Sequence, residues 1–232
     1  MAQRIERIGD ATLYLGDCRE LLAERRGDAI LTDPPYGIAL DTNNQRFSGG
    51  NNRPDRLPGS ACGKPIVNDD KPFDPSFLLE LPGDKIIWGW SHFPDKLPCG
   101  SCLVWLKRYD QAFGSFLSDA ELAWFNRGHG IYCRRDLSLT AIANERQHPT
   151  QKPVTLMEWC LGFVPKAQTI LDPFMGSGTT GVAALRLGRK FLGIEIEQRY
   201  FDIACQRIEQ EVRQPRFTFD VRRGAPEQQV LL

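Results

Sequence analysis

Two stretches of this 232-residue chain have residue types that could do chemistry: Asp33-Pro34-Pro35-Tyr36 and Asp172-Pro173-Phe174-Met175-Gly176-Ser177-Gly178-Thr179-Thr180. The first joins a carboxylate to a stiffened turn and an aromatic face, a set that can accept hydrogens and stack against a flat ring. The second reads as a strand end, a glycine turn and a helix start, where a ligand can approach the backbone because glycine has no Cβ. Each follows a short apolar run, Ala29 to Thr32 and Thr169 to Leu171, and so sets an acid at the carboxyl end of a buried strand. Open α/β sheets bind their ligands there. Two such edges point to one site for a cofactor and one for a substrate.

The glycine turn is not a phosphate loop. That loop needs a lysine before its hydroxyl residue, and here Gly178 precedes Thr179. A dinucleotide fingerprint through Gly176, Gly178 and Gly181 is equally weak support for a nucleotide reading.

The elements that must hold these residues follow from periodicity and caps. Ala11 to Gly16 reads as a strand, and Asp17 as the cap of a helix with Glu20 three positions on and Gly27 closing it. Asp74 and Pro75 open a short helix, followed by strand-like Lys85 to Trp90, Cys102 to Lys107 and Glu121 to Asn126, the last two suited to an antiparallel pair. Pro153 opens a helix with Met157, Cys160, Leu161 and Val164 on one face. A small-residue helix from Thr180 to Leu187, ending at Gly188, leads into strand Lys190 to Ile196. A final helix carries Tyr200, Ile203, Ala204 and Ile208, and Arg216 to Val221 alternates like a short strand. Strand–helix alternation of this kind gives an α/β fold around a largely parallel sheet.

At 232 residues and 41% hydrophobic content the chain suits one filled domain, residues 1–212, with a tail over 213–232. Residues 37–70 are polar, rich in Gly, Asn and Pro, and read as a mobile functional loop. The charged start, Met1 to Asp10, carries no apolar leader, and no run nears the roughly 20 residues that span a bilayer, so a cytoplasmic protein without membrane contact is expected. Seven scattered cysteines fit a reducing compartment. Cys99 and Cys102 form a single C-x-x-C without a matching pair, and no metal is expected.

The second stretch closely resembles the S-adenosylmethionine loop of DNA amino-methyltransferases, and Asp33-Pro34-Pro35-Tyr36 resembles that family's catalytic tetrapeptide. His148-Pro-Thr-Gln-Lys-Pro153 matches a third family segment, and the order, catalytic motif first and cofactor loop last, is the family's β arrangement. The resemblance implies a Rossmann-like methyltransferase sheet of about seven strands, mostly parallel with one reversed strand and helices on both faces. It implies S-adenosylmethionine as cofactor, with S-adenosylhomocysteine as product, and double-stranded DNA as partner.

By the same resemblance, Asp172, Pro173, Phe174, Gly176, Ser177 and Gly178 line the methionine part of the cofactor, with Thr179 and Thr180 at the helix start. Glu195 fits the ribose ligand, Asp17 the acid that meets the adenine amino group, and His148, Thr150 and Lys152 border the methionine end. Asp33 and the Pro34 carbonyl accept the hydrogens of an exocyclic amino group, Pro35 stiffens the turn and Tyr36 offers a stacking face for an extruded base. Adenine N6 is the expected target. Cytosine N4 is the alternative, since cytosine members more often carry Ser where Asp33 stands, and a non-catalytic cofactor- and DNA-binding module is the alternative of another class. Cytosine carbon-5 chemistry through Pro98-Cys99 lacks every other part it needs.

The net charge is zero, so DNA contact must be local. Arg46, Arg53 and Arg56 in one loop, and Arg134 and Arg135 in another, are the candidates. The segment free for target recognition, 127–147, is short, so either the 37–70 loop shares that task, a second subunit in a homodimer helps, or specificity is relaxed.

Overall fold

The computed structural model describes residues 2–24, 26–39, 67, 69–114, 118–138 and 151–214. Its centre is one nine-stranded sheet. In chain order the strands are β1 (Arg4–Ile8), β2 (Ala11–Leu15), β3 (Ala29–Thr32), β4 (Asp84–Trp88), β5 (Ser101–Leu106), β6 (Ala120–Phe125), β7 (Ile131–Arg135), β8 (Thr169–Asp172) and β9 (Lys190–Glu195). In space they run β1-β2-β9-β8-β3-β4-β6-β5-β7. Neighbours from β2 to β4 are all parallel, β6 is antiparallel to both β4 and β5, and β7 lies parallel to β5. Seven of these strands, β2 to β5 in spatial order, make the expected sheet with β6 as its reversed member. The two additions correct the strand count: β1, antiparallel to β2, and β7 each form an outer edge. Both are mostly exposed and charged, so neither shows the apolar run by which buried strands are recognised.

Adjacent residues of the central strands feed opposite cores, which is why these strands are apolar throughout. Leu31 and Ile86 face a core closed by α3 (Val154–Leu161), α4 (Thr179–Arg186) and α5 (Gln198–Arg213), while Ile30 and Ile87 face one closed by α1 (Cys18–Leu21) and α2 (Ser76–Leu79). Trp88, Trp105 and Trp124 are buried in these cores, whereas Trp90 is only half-buried.

The helix boundaries agree in part with the sequence. Asp17 caps α1, its Oδ1 accepting from the Arg19 amide at 2.8 Å. Asp74 accepts from the Ser76 amide and hydroxyl at the start of α2. Gly188 ends α4 in a left-handed turn (φ +69°), its amide bonding Leu185 O and the next amide Ala184 O, so that two terminal carbonyls are satisfied together. Gly27 does not close α1, which stops at Leu21 and passes into a 3-10 turn to Glu24. It is glycine because a Cβ there would meet Leu171 Cβ at 2.8 Å. The buried stripe of α5 is Tyr200, Phe201, Ala204, Cys205 and Ile208, with Ile203 only half-buried beside it. Most of the 37–70 loop and the strand expected at Arg216 to Val221 lie outside the described residues. Residues 131–135 of the expected recognition segment form β7.

Candidate active site

Strand direction gathers the site. The carboxyl ends of β2, β3, β8 and β9 deliver Asp17, Asp33, Asp172 and Glu195 to one edge of the sheet, and the reversed β6 brings its first residues, Ala120 and Glu121, to the same edge. A single cleft of about 860 Å³ is lined there by Asp17, Asp33 to Tyr36, Lys152, Asp172 to Ser177, Thr179, Thr180 and Glu195. That volume suits a ligand of nucleoside size with further room beside it.

At the Asp33 end, both carboxylate oxygens are engaged. The Tyr36 hydroxyl donates to Oδ1 at 2.6 Å, and Lys152 Nζ donates to Oδ2 at 2.6 Å and to the Tyr36 hydroxyl at 3.1 Å. Lys152 is buried, 3% exposed, which rules out a solvated helix-start lysine; its ammonium also meets Glu121 Oε2 at 3.1 Å. Lys107 holds the other Glu121 oxygen at 2.9 Å. One ammonium is thus shared by two carboxylates, and among the described residues only Glu121 has a second cation.

The electrostatics follow from that asymmetry. Burial pushes the Asp33 carboxyl above its ordinary range, against the pull of Lys152, and the negative charge of Glu121 adds to the rise. Burial acts on Glu121 as well, but Lys152 and Lys107 more than offset it and bring its pKa to about 2. Burial opposes the charge on Lys152, yet Asp33, Glu121 and Tyr36 together hold the ammonium well above its usual value. Asp33 is therefore the more basic carboxylate of the pair.

Tyr36 is fixed by packing. Its ring stacks on His92 with centroids 4.6 Å apart and planes 15° apart. Gly89 yields the space: its φ is +86°, and a Cβ there would lie 2.2 Å from Tyr36 Cε1. The start of the polar loop is tied to its end, the Gly37 amide donating to Asp69 Oδ1 at 2.8 Å and the Ala39 amide to Asp69 O at 2.6 Å.

The other half of the cleft is built on the glycine turn. Asp172 Oδ1 accepts from Thr32 Oγ1 at 2.7 Å and from the Phe174 amide at 3.1 Å, and burial lifts its pKa to about 6. Glu195 accepts from the Gly176 amide at 2.9 Å through Oε2 and from the Glu197 amide at 2.8 Å through Oε1, and burial lifts its pKa to about 7. Each of its oxygens keeps a lone pair for a further donor. Gly178 is left-handed (φ +79°) and lies against Ala204, where a Cβ would come within 2.9 Å. Ser177 and Thr179 turn their hydroxyls to α5, where Arg207 Nη1 meets Ser177 O at 2.6 Å, Ser177 Oγ at 2.9 Å and Thr179 Oγ1 at 3.1 Å. These two hydroxyls brace the turn from behind.

The residues proposed for DNA contact are divided. Arg134 and Arg135 lie on the edge strand β7, Arg134 at 3.7 Å from Asp136 and Arg135 paired with Asp110 while lying over the Phe113 ring. Arg46, Arg53 and Arg56, like His148 and Thr150, lie outside the described residues. Sequence reasoning missed Glu121, Lys107, His92 and Arg207. Lys107 and Glu121 carried a faint signal, as the last residue of one expected strand and the first of the next. Among the described residues no group of three His, Cys, Asp or Glu side chains could hold a metal ion, and no helix is long and apolar enough to cross a membrane.

Residues 123–206 match the family model N6_N4_Mtase, described as DNA methylase. The match takes in β8, the glycine turn and β9, the cofactor half of the cleft, and covers about a third of the chain. Among curated relatives, the chain is 38% identical over 143 residues to the type II methyltransferase M2.LlaDCHI of Lactococcus lactis subsp. cremoris, a match covering 56% of this chain and 53% of that protein. It is 54% identical over 66 residues to M2.DpnII of Streptococcus pneumoniae, covering 28% and 25%. The matched stretches thus span about half or less of those relatives. Among solved structures, the chain shares its fold with the M1.HpyAVI–SAM complex (TM-score 0.54, 23% identity, 85% of this chain and 99% of that one). It also shares it with the cytosine-N4-specific PvuII DNA methyltransferase (TM-score 0.54, 14% identity, 91% and 94%).

Proposed function

We propose that the protein transfers a methyl group from S-adenosylmethionine to the N6 amino group of adenine in double-stranded DNA, with the target base turned out of the helix. The observation that carries this reading is the single cleft that holds a basic carboxylate on a Pro-Pro-Tyr turn at one end and a glycine turn with a strand-end glutamate at the other.

The cofactor fits the second half. Glu195 can accept from both ribose hydroxyls, the Gly176 to Gly178 turn leaves room beside the backbone, and Asp17, at the end of β2 next to β9, can take the adenine amino group. Bound there, it supplies an electrophilic methyl group on a sulfonium. The amino nitrogen of the base is a poor nucleophile because its lone pair is delocalised into the ring. Asp33 and the Pro34 carbonyl accept its hydrogens and so turn the lone pair toward the methyl carbon. With the donor bound, Asp33 would take one amine proton as the N–C bond forms and the S–C bond breaks, leaving S-adenosylhomocysteine as the second product. Holding the reacting atoms in line can supply several of the roughly 7–11 kcal/mol available from orientation. Turning out the base costs a few kcal/mol, which backbone contacts must offset.

Asp at position 33, rather than Ser, favours adenine over cytosine N4. The family and the type II relatives support a place in restriction–modification. Incubation with labelled S-adenosylmethionine and duplex DNA, followed by nucleoside analysis, tests the reading: N6-methyladenine is expected, N4-methylcytosine would reassign the base, and no modified base would refute transfer. Asp33→Ala should abolish transfer and leave cofactor binding intact; retained transfer would sink the role given to Asp33.

A further inference from the structure

Glu121 has no place in the motifs, yet it lies inside the catalytic cluster. Its carboxylate meets Lys152 Nζ at 3.1 Å and Lys107 Nζ at 2.9 Å. Lys152 in turn meets Asp33 at 2.6 Å. The result is a row of alternating charge, Lys107, Glu121, Lys152, Asp33, running from the cleft wall to the carboxylate beside which the amine is proposed to react. We propose that Glu121 is a positioning residue for methyl transfer, holding the Lys152 ammonium between two carboxylates so that Asp33 stays able to take a proton. This rests on the function proposed above.

The physical case is charge division. A carboxylate facing an ammonium alone would be stabilised as the anion and made a weak proton acceptor. Glu121 draws part of that ammonium's field to itself, and Lys107 keeps Glu121 ionised while it does so. Lys152 keeps its own protons throughout, and the proton released from the amino nitrogen ends on an Asp33 oxygen. Among the described residues, the other groups facing Asp33 are the Tyr36 hydroxyl on its own turn and Asp172 at the end of β8. Tyr36 is pushed well above its ordinary range by burial and by Asp33, so it remains a hydrogen-bond donor. Burial holds Asp172 at about 6, so its ionisation adds to the negative charge near Asp33 only above that pH.

Glu121→Gln tests the role, because it keeps the shape and removes the charge. The full-length variant should bind S-adenosylmethionine and DNA within about twofold of the wild type while its single-turnover transfer rate falls about tenfold or more, the scale of a weakened general base. The acid limb of its pH–rate profile should move to lower pH. The titration of the Asp33 carboxyl carbon, followed by NMR on 13C-aspartate-labelled protein, should move the same way. Lys107→Met, which frees Glu121 from its second cation and so gives it a larger share of the Lys152 ammonium, should shift both the opposite way, to higher pH and by less, and covers the case in which Glu121→Gln does not fold. An Asp33 titration that stays in place in a folded variant overturns the proposal, as does a loss confined to cofactor binding. The titration needs neither DNA nor turnover. A wild-type protein that failed to methylate DNA would count against the function, and the NMR result would still decide the role of Glu121.

Discussion

Gly89 shows how closely the catalytic turn is fitted. It combines a left-handed backbone (φ +86°) with a space that the Tyr36 ring fills, so any side chain there meets strain and collision together. Gly89→Ala should destabilise the fold by about 1–3 kcal/mol. It should also displace Tyr36 from Asp33 and His92, lowering transfer far more than cofactor affinity; thermal unfolding and a titration with S-adenosylmethionine would separate the two effects. At this scale the legible residues were those whose motif carries them: Asp33, Tyr36, Asp172 and Glu195. Lys152 was legible as a motif member but not in its contact, because its partner Asp33 lies 119 positions away in sequence and only the fold brings the two together. His92 had no pattern at all. Its stacking on Tyr36 is a product of the 3-10 turn that follows Gly89.

Strand ends also explain a dependence on pH. Glu195 closes β9 with its carboxylate on two backbone amides, and burial raises its pKa from 4.5 to about 7. A folded-state value above the unfolded one means that the protonated group favours folding. Its contribution is complete below about pH 4.5 and is lost as pH rises through about 7, by roughly 2–3 kcal/mol. Urea unfolding at pH 5 and pH 8 should show that loss in the wild type and a flatter profile in Glu195→Gln; equal slopes would refute the assignment. The parallel strands were readable because they are short apolar runs closed by acids or glycine. Glu121 was not, because ligand residues in an open sheet are sought after a strand and β6 runs backwards, so it offers its beginning. The edges β1 and β7 escaped for the opposite reason, since a strand with one free side need not be apolar.

As a whole the molecule is electrically balanced, with 29 Lys and Arg against 29 Asp and Glu. For the proposed action on DNA, attraction must then come from a few local phosphate contacts, on the order of three or four rather than the roughly six to ten of strongly basic binders. Affinity should fall roughly fifty- to hundredfold between 50 and 200 mM salt, against about 10³–10⁵ for six to ten contacts. Fluorescence anisotropy with a labelled duplex across that range would measure it, and a much steeper loss would mean that a larger basic surface forms on DNA.

Because parallel strands all point one way and β6 brings its first residues to the same side, the sheet has a working rim and an idle one. The turns that feed β3, β8 and β9 lie on the idle rim, among them the exposed turn at Lys166 between α3 and β8. That makes the molecule a tool with a natural handle. A dye, a surface tether or a fused partner attached at Lys166 should leave turnover unchanged, since it would hang from the side of the sheet opposite the cleft.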